Sequence, residues 1–140
     1  MKGLTHLDVT FHAIEDVDDS LLKYAVVITK YKDKWIFCKN RKRHWEIPGG
    51  HREENESILD AAKRELFEET GATQFTLTPL YVYSIRNYGL VFYAEVTELG
   101  RLPASEIERI DFFQDVPSPL SFPLVHPKLF DRVKEMLRIM

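Results

Sequence analysis

The sequence predicts a mixed α/β fold, a sheet covered by helices. Three observations carry that expectation. Apolar, β-branched runs such as KYAVVITKY are separated by polar links rich in turn residues. The segment NESILDAAKRELFEETG repeats apolar residues at a period near 3.6. Strand-like runs lie on both sides of that segment, and a second helical pattern comes near the end of the chain.

The elements follow in order. LTHLDVTFHAI, residues 4–14, partly alternates and reads as a strand. KYAVVITKY (23–31) and WIFCK (35–39) are joined by KDK and read as a hairpin. NRKRH (40–44) is a basic loop, and WEIPGG after it is punctuated by Pro48 and two glycines. A helix is expected over about 56–70, capped by Asn55 or Ser57, with Gly71 in the C-terminal cap position. Its apolar stripe is Ile58, Leu59, Ala62 and Leu66. Two strands are expected at 75–87 and 88–99, turning near Asn87 and Gly89. A short strand is expected at 110–116 and an extended loop with four prolines at 117–127. The final helix covers about 127–139, with Pro127 in its first turn and Leu129, Phe130, Val133, Met136 and Leu137 facing inward.

Composition bounds the function. The 140 residues are expected to form one domain, and 44% hydrophobic residues suffice for one core. A net charge of -3 with 29% charged residues argues for a soluble protein and against a general nucleic-acid binder, leaving local basic patches open. Cys38 is the only cysteine, which excludes an intramolecular disulfide and a cysteine-rich metal site. Within WIFC it is expected to be a buried, inert thiol. No apolar run has signal-peptide length, and none reaches the roughly 18 residues of a membrane span. The expected location is the reducing cytoplasm, with no membrane partner.

RELFEETG, residues 64–71, is the chemically informative stretch. Glu65, Glu68 and Glu69 share one broad helical face near the C-terminal end. Like charges three and four apart repel there, and the helix dipole disfavours acids at that end. A divalent cation between them removes the penalty. An oxygen-only donor set suits Mg2+, or Mn2+, whereas zinc usually recruits histidine or cysteine. Such a metal suits a phosphate-bearing substrate, and Arg41, Lys42 and Arg43 lie upstream to help hold one.

The wider spacing carries a resemblance. Gly50, five residues, Glu56, seven residues, Arg64-Glu65-Leu66, one residue, Glu68-Glu69, one residue, Gly71-Ala72: this resembles the Nudix box of the Nudix hydrolases, with every fixed element in place. The direct match covers about 45–72. The resemblance implies an α/β/α sandwich with a mixed sheet. It implies Mg2+-dependent hydrolysis of a pyrophosphate bond in a small nucleotide, here a nucleoside triphosphate yielding a monophosphate and pyrophosphate. Dinucleoside polyphosphates and RNA 5′ ends are alternatives within that chemistry; a non-catalytic nucleotide-binding module is the alternative outside it. A monomer or a homodimer fits equally.

The resemblance also distributes roles. Glu68 and Glu69 match the principal metal ligands, and Glu65 matches a further ligand or the general base. Gly49 matches a backbone carbonyl ligand. Arg64 and Glu56 match a pair that orients the carboxylates. A base from a later loop is the alternative to Glu65; among Glu106, Glu108 and Asp111 in SEIERIDFF, Glu108 is the first choice. Arg41, Arg43, Arg86 and Phe122 are the candidate substrate contacts outside the box, and an aromatic from 81–93 can serve as a base platform.

Overall fold

The computed structural model describes residues 8–140. Residues 4–7 of the first expected strand lie outside that range, and the strand seen is β1, Thr10–His12. Two short 3-10 turns lead into β2 (Leu22–Tyr31), which pairs antiparallel with β3 (Lys34–Asn40). Lys32 and Asp33 both take positive φ, the backbone of a tight two-residue hairpin turn. WEIPGG folds into two short strands that periodicity does not reveal, β4 (Trp45–Glu46) and β5 (Gly49–His51). Then come α1 (Ile58–Thr70), β6 (Ala72–Ser84), β7 (Tyr88–Leu99), β8 (Ile107–Phe113) and α2 (His126–Ile139).

The strands form one mixed sheet in the order β1-β6-β7-β2-β3-β4, with β5 also on β2 and β8 also on β3. β2 and β7 run parallel, and the other pairs are antiparallel. Each face of the sheet is buried by one helix. On the first, Ile58, Ala61, Ala62 and Leu66 of α1 pack on Ala25, Val27, Val82 and Phe92. On the second, Leu129, Phe130 and Val133 of α2 pack on Val26, Ile28, Phe37 and Val91. Tyr81 ties the second layer to the sheet by donating its hydroxyl hydrogen to the Leu129 carbonyl at 2.7 Å. The expected α/β/α sandwich is therefore present.

Two details of α1 differ from the sequence reading. Ser57 is the N-cap, its side chain accepting from the Asp60 amide at 3.0 Å, while Asn55 takes a left-handed turn conformation before it. Leu59 is exposed, and Ala61 takes its place in the buried stripe. The observed stripe 58-61-62-66 spans about 140° of the helix, shifted toward Ala61, and Leu59 in the first turn lies just beyond its other edge. Gly71 ends the helix in the left-handed conformation, its amide donating to the Phe67 carbonyl. Cys38 is fully buried, and its thiol donates to the Glu69 carbonyl at 3.2 Å.

Candidate active site

The β5 loop and the C-terminal half of α1 build the site together. Arg64 is its hub. Its Nε and Nη2 donate to the two oxygens of Glu56 at 2.7 and 3.0 Å, a bidentate pair. Its Nη1 donates to Glu68 Oε1 at 3.1 Å, and Nη2 also reaches the His51 carbonyl at 3.0 Å. Glu56 in turn accepts from the Glu53 amide at 3.0 Å. The Arg64 hydrogen bonds hold the Glu56 carboxyl down at about 2. One guanidinium thus links the loop before α1 to the acids on it.

Glu65 and Glu69 turn toward the β5 loop. Gly49 donates its amide hydrogen to Glu69 Oε1 at 3.0 Å. At Gly50 a Cβ would collide with the Glu65 carboxylate, so only glycine lets that acid lie against the loop. Burial pushes Glu65 up to about 7, with Arg64 opposing and the charges of Glu68 and Glu106 adding. Burial pushes Glu69 to about 8, against the Gly49 hydrogen bond, with Glu65, Glu46 and Glu106 adding. Glu106, just before β8, therefore belongs to the same acidic neighbourhood.

The oxygen-only set fits a hard divalent cation in its chemistry: two acids are costly to ionise by themselves, and a third is close by. Among the described residues no three His, Cys, Asp or Glu side chains form a ready-made ligand cluster. Glu68 lies beside them, its Oε1 engaged by Arg64.

A cleft of about 690 Å³ opens beside these acids. Glu69, Gly49 and Gly50 line it near the acids, together with Ala25 and Val26, the β2 partners of the two glycines, and Tyr24 beside them. Arg86 of the β6–β7 turn contributes from the β7 side of β2; Arg43 and Phe122 contribute from the β3–β4 side. Arg43 Nε donates to Glu46 Oε2 at 2.9 Å, and its guanidinium lies 5.5 Å from the Phe122 ring centre. Of the candidate aromatics on the middle strands, Tyr83 lines the cleft, whereas Tyr81 and Phe92 are buried in the core.

Two candidates fall elsewhere. Glu108 does not line the cleft; it borders a separate groove with Arg41, Phe67 and Arg101, and sits 3.8 Å from Arg109. The cause is a slip in the β3–β8 register: Lys39 pairs with Arg109 and Asn40 with Ile107, leaving Glu108 as an unpaired extra residue that the bulge aims away. Glu106 is the loop acid that reaches the cleft. Arg41 sits in that same second groove, where its amide donates to the Glu106 carbonyl at 2.9 Å and its Nε to the Ser105 carbonyl at 3.1 Å. Its contacts fix the Glu106 loop rather than the cleft.

A family model for the NUDIX domain matches residues 19–129, most of the chain and the whole of this site. The chain belongs to the Nudix family. It is 38% identical over 63 residues to YtkD of Bacillus subtilis (strain 168), covering 45% of this chain and 40% of that protein. It is 34% identical over 85 residues to an 8-oxo-dGTP diphosphatase of Buchnera aphidicola, covering 58% of this chain and 63% of that one. The chain thus spans less than two thirds of either relative. Among solved structures it resembles the Bacillus subtilis pyrophosphohydrolase BsRppH, with a TM-score of 0.77 and 25% identity, covering 91% of this chain and 90% of that one.

Two residues that line the cleft of this Nudix chain carried no signal in the sequence. Glu46 and His126 both line it. Glu46 sits in a two-residue strand inside the run leading into the box, and His126, expected in a proline-rich loop, is the first residue of α2. The Ile47 amide donates to His126 Nδ1 at 3.2 Å, a contact 79 positions long that no local pattern signals.

Proposed function

We propose that residues 1–140 form one Nudix hydrolase domain that acts in the cytoplasm on a nucleoside triphosphate, with Mg2+, releasing a nucleoside monophosphate and pyrophosphate. The observation that carries this reading is the grouping of part-buried Glu65 and buried Glu69 with Arg64-held Glu68, where Glu69 lines a cleft large enough for a nucleotide. The 8-oxo-dGTP diphosphatase relative supports the triphosphate class.

Glu68 and Glu69 are the principal metal ligands, with Glu65 and the Gly49 carbonyl as further donors; Mn2+ would fit the same oxygens. The bound ion supplies neutralisation of the diphosphate charge and of the charge that develops as the anhydride breaks. Arg64 and Glu56 act as positioning residues, fixing the helix acids to the loop. Water attacks one phosphorus in line with the leaving phosphate, and its proton passes to a carboxylate, Glu65 or Glu106. Arg43 and Arg86, along the cleft wall, bear the positive charge that a polyphosphate or its sugar end meets.

The test is turnover across a panel of nucleoside triphosphates, dinucleoside polyphosphates, nucleotide sugars and 5′-triphosphorylated RNA, with Mg2+ and product identification. The expected products are a monophosphate and pyrophosphate from a triphosphate. Tight nucleotide binding without Mg2+-dependent hydrolysis would overturn the reading.

A further inference from the structure

We propose that Tyr83 reads the sugar of the bound nucleotide: its phenol hydroxyl, laid over Gly89, hydrogen-bonds a sugar hydroxyl. The inference rests on the nucleotide reading above and adds a specificity-determining contact to it.

The placement follows from register. Phe11, Tyr83, Gly89, Tyr24 and His51 are successive partners across β1, β6, β7, β2 and β5. Paired residues project to the same face of a sheet, so the row is a line of rings broken only at Gly89. Gly89 takes no positive φ, so its backbone does not require glycine. The requirement is space. A Cβ built there falls 2.5 Å from Tyr83 Cε1 and 3.0 Å from the hydroxyl oxygen. The Tyr83 ring therefore leans from β6 across β7, in the direction of β2, and glycine alone admits its outer end.

The hydroxyl is available to a ligand. Tyr83 is 9% exposed, and its hydroxyl has no hydrogen-bond partner among the described residues, yet none of their buried side-chain oxygens is left unsatisfied. The oxygen therefore reaches accessible space, and Tyr83 lines the cleft. Burial, and Tyr24 beside it, push the phenol up to about 12, so it stays protonated and neutral.

Its position selects the part of the nucleotide. Gly49 and Gly50, against which Glu69 and Glu65 lie, pair with Val26 and Ala25. The row of Tyr83 comes next along the sheet, and the β6–β7 turn, with Ile85, Arg86 and Asn87 on the cleft, comes after it. Gly89 is two strands over from β5, about 10 Å. A nucleotide with its reacting phosphates at the acids and its base toward the turn places its sugar between the two. A phenol and a sugar hydroxyl each donate and accept, so they pair in either direction, whereas phosphate charge calls for the arginines.

The experiment measures kcat/KM for GTP and 2′,3′-dideoxy-GTP with Mg2+, and equilibrium binding of GMP and 2′,3′-dideoxy-GMP, in wild type, Tyr83→Phe and Gly89→Ala, with a thermal melt of each. Wild type favours the hydroxylated sugar by about 3- to 10-fold, the effect of one neutral hydrogen bond. Tyr83→Phe keeps the ring, weakens GTP and GMP by that factor and leaves the dideoxy nucleotides unchanged, so the ratio falls to about one. Gly89→Ala moves the ring with its hydroxyl intact and lowers the ratio as well; if that variant does not fold, Tyr83→Phe decides alone. Equal use of the two sugars by wild type, a ratio untouched in folded Tyr83→Phe, or a loss in it shared by both sugars would overturn the contact while leaving the hydrolase reading standing. Absence of turnover with either triphosphate would overturn that reading instead, and the monophosphate binding ratios would still decide the sugar contact.

Discussion

The two helices bury opposite faces of one sheet, yet they do different work. α2 packs Leu129, Phe130 and Val133 against aromatic and branched strand residues, and Trp35 meets Phe130 edge-on at 4.9 Å. α1 packs with small residues, Ala61 and Ala62 among them, and carries Glu65, Glu68 and Glu69 along its C-terminal half. The α2 layer is stabilised by burial. The α1 layer carries Glu65 and Glu69, whose ionised forms burial disfavours. The difference teaches that the cost of the site is local to one layer and is borne by apolar packing on the other.

The comparison is broken most severely from the α2 side. Phe130→Ala is expected to cost about 3–5 kcal/mol, since the ring is fully buried among large neighbours. Denaturant unfolding measures the loss, and protein that remains folded keeps its affinity for Mg2+. On the α1 side, Arg64→Lys retains the charge and loses the bidentate grip on Glu56. Activity is expected to fall about 10- to 100-fold with a stability change much smaller than that of Phe130→Ala. Steady-state kinetics beside a thermal melt separates the two.

The pH dependence sharpens the contrast further. Glu65 and Glu69, at about 7 and 8, lie above the ordinary carboxylate value, so the fold holds protons that the unfolded chain has released. Their penalty grows as pH rises from about 4.5 toward 8. His126 has the opposite sign: held at about 4 below an ordinary value of 6.5, it weakens the fold as pH falls through 6.5. Between about pH 6.5 and 8 the acids act alone, and metal-free protein is expected to lose roughly 2 kcal/mol. Mg2+, which favours ionised carboxylates, should therefore raise the Tm more at pH 8 than at pH 6.5. Differential scanning calorimetry with and without chelator gives the sign directly.

The smallest effects distinguish the two loop acids. Glu106→Gln is expected to lower kcat and shift its pH profile, while Glu108→Gln, beyond the bulge, leaves turnover within about twofold. A pH–rate profile of both variants reads the difference.

The legibility of these features follows from their range. The helices and long strands show in the sequence because periodicity and caps act over a few residues, as at Ser57 and Gly71. The spacing from Gly50 to Ala72 marks the acidic helix because the box is contiguous in the chain. Glu108 could not be told from Glu106 by pattern, because a register slip against β3 decides which one faces the cleft. Arg41 looked equivalent to Arg43 in RKRH, but backbone and side-chain bonds to the Glu106 loop draw it away. His126 was hidden for the same reason: its place on the cleft wall depends on Ile47, a partner brought near only by the folded sheet.

The central claim is that the acids of α1 hold a catalytic divalent cation. The measurement that tests it most directly is nucleoside triphosphate hydrolysis across a Mg2+ titration in wild type and Glu68→Gln, with thermal unfolding run on both. Glu68 is half exposed and contributes one hydrogen bond to Arg64, so the variant should fold normally. The account predicts a loss of turnover beyond about 100-fold, the upper end for supporting residues, with a Tm close to wild type. A folded Glu68→Gln protein with a near-normal Mg2+-dependent rate would contradict it.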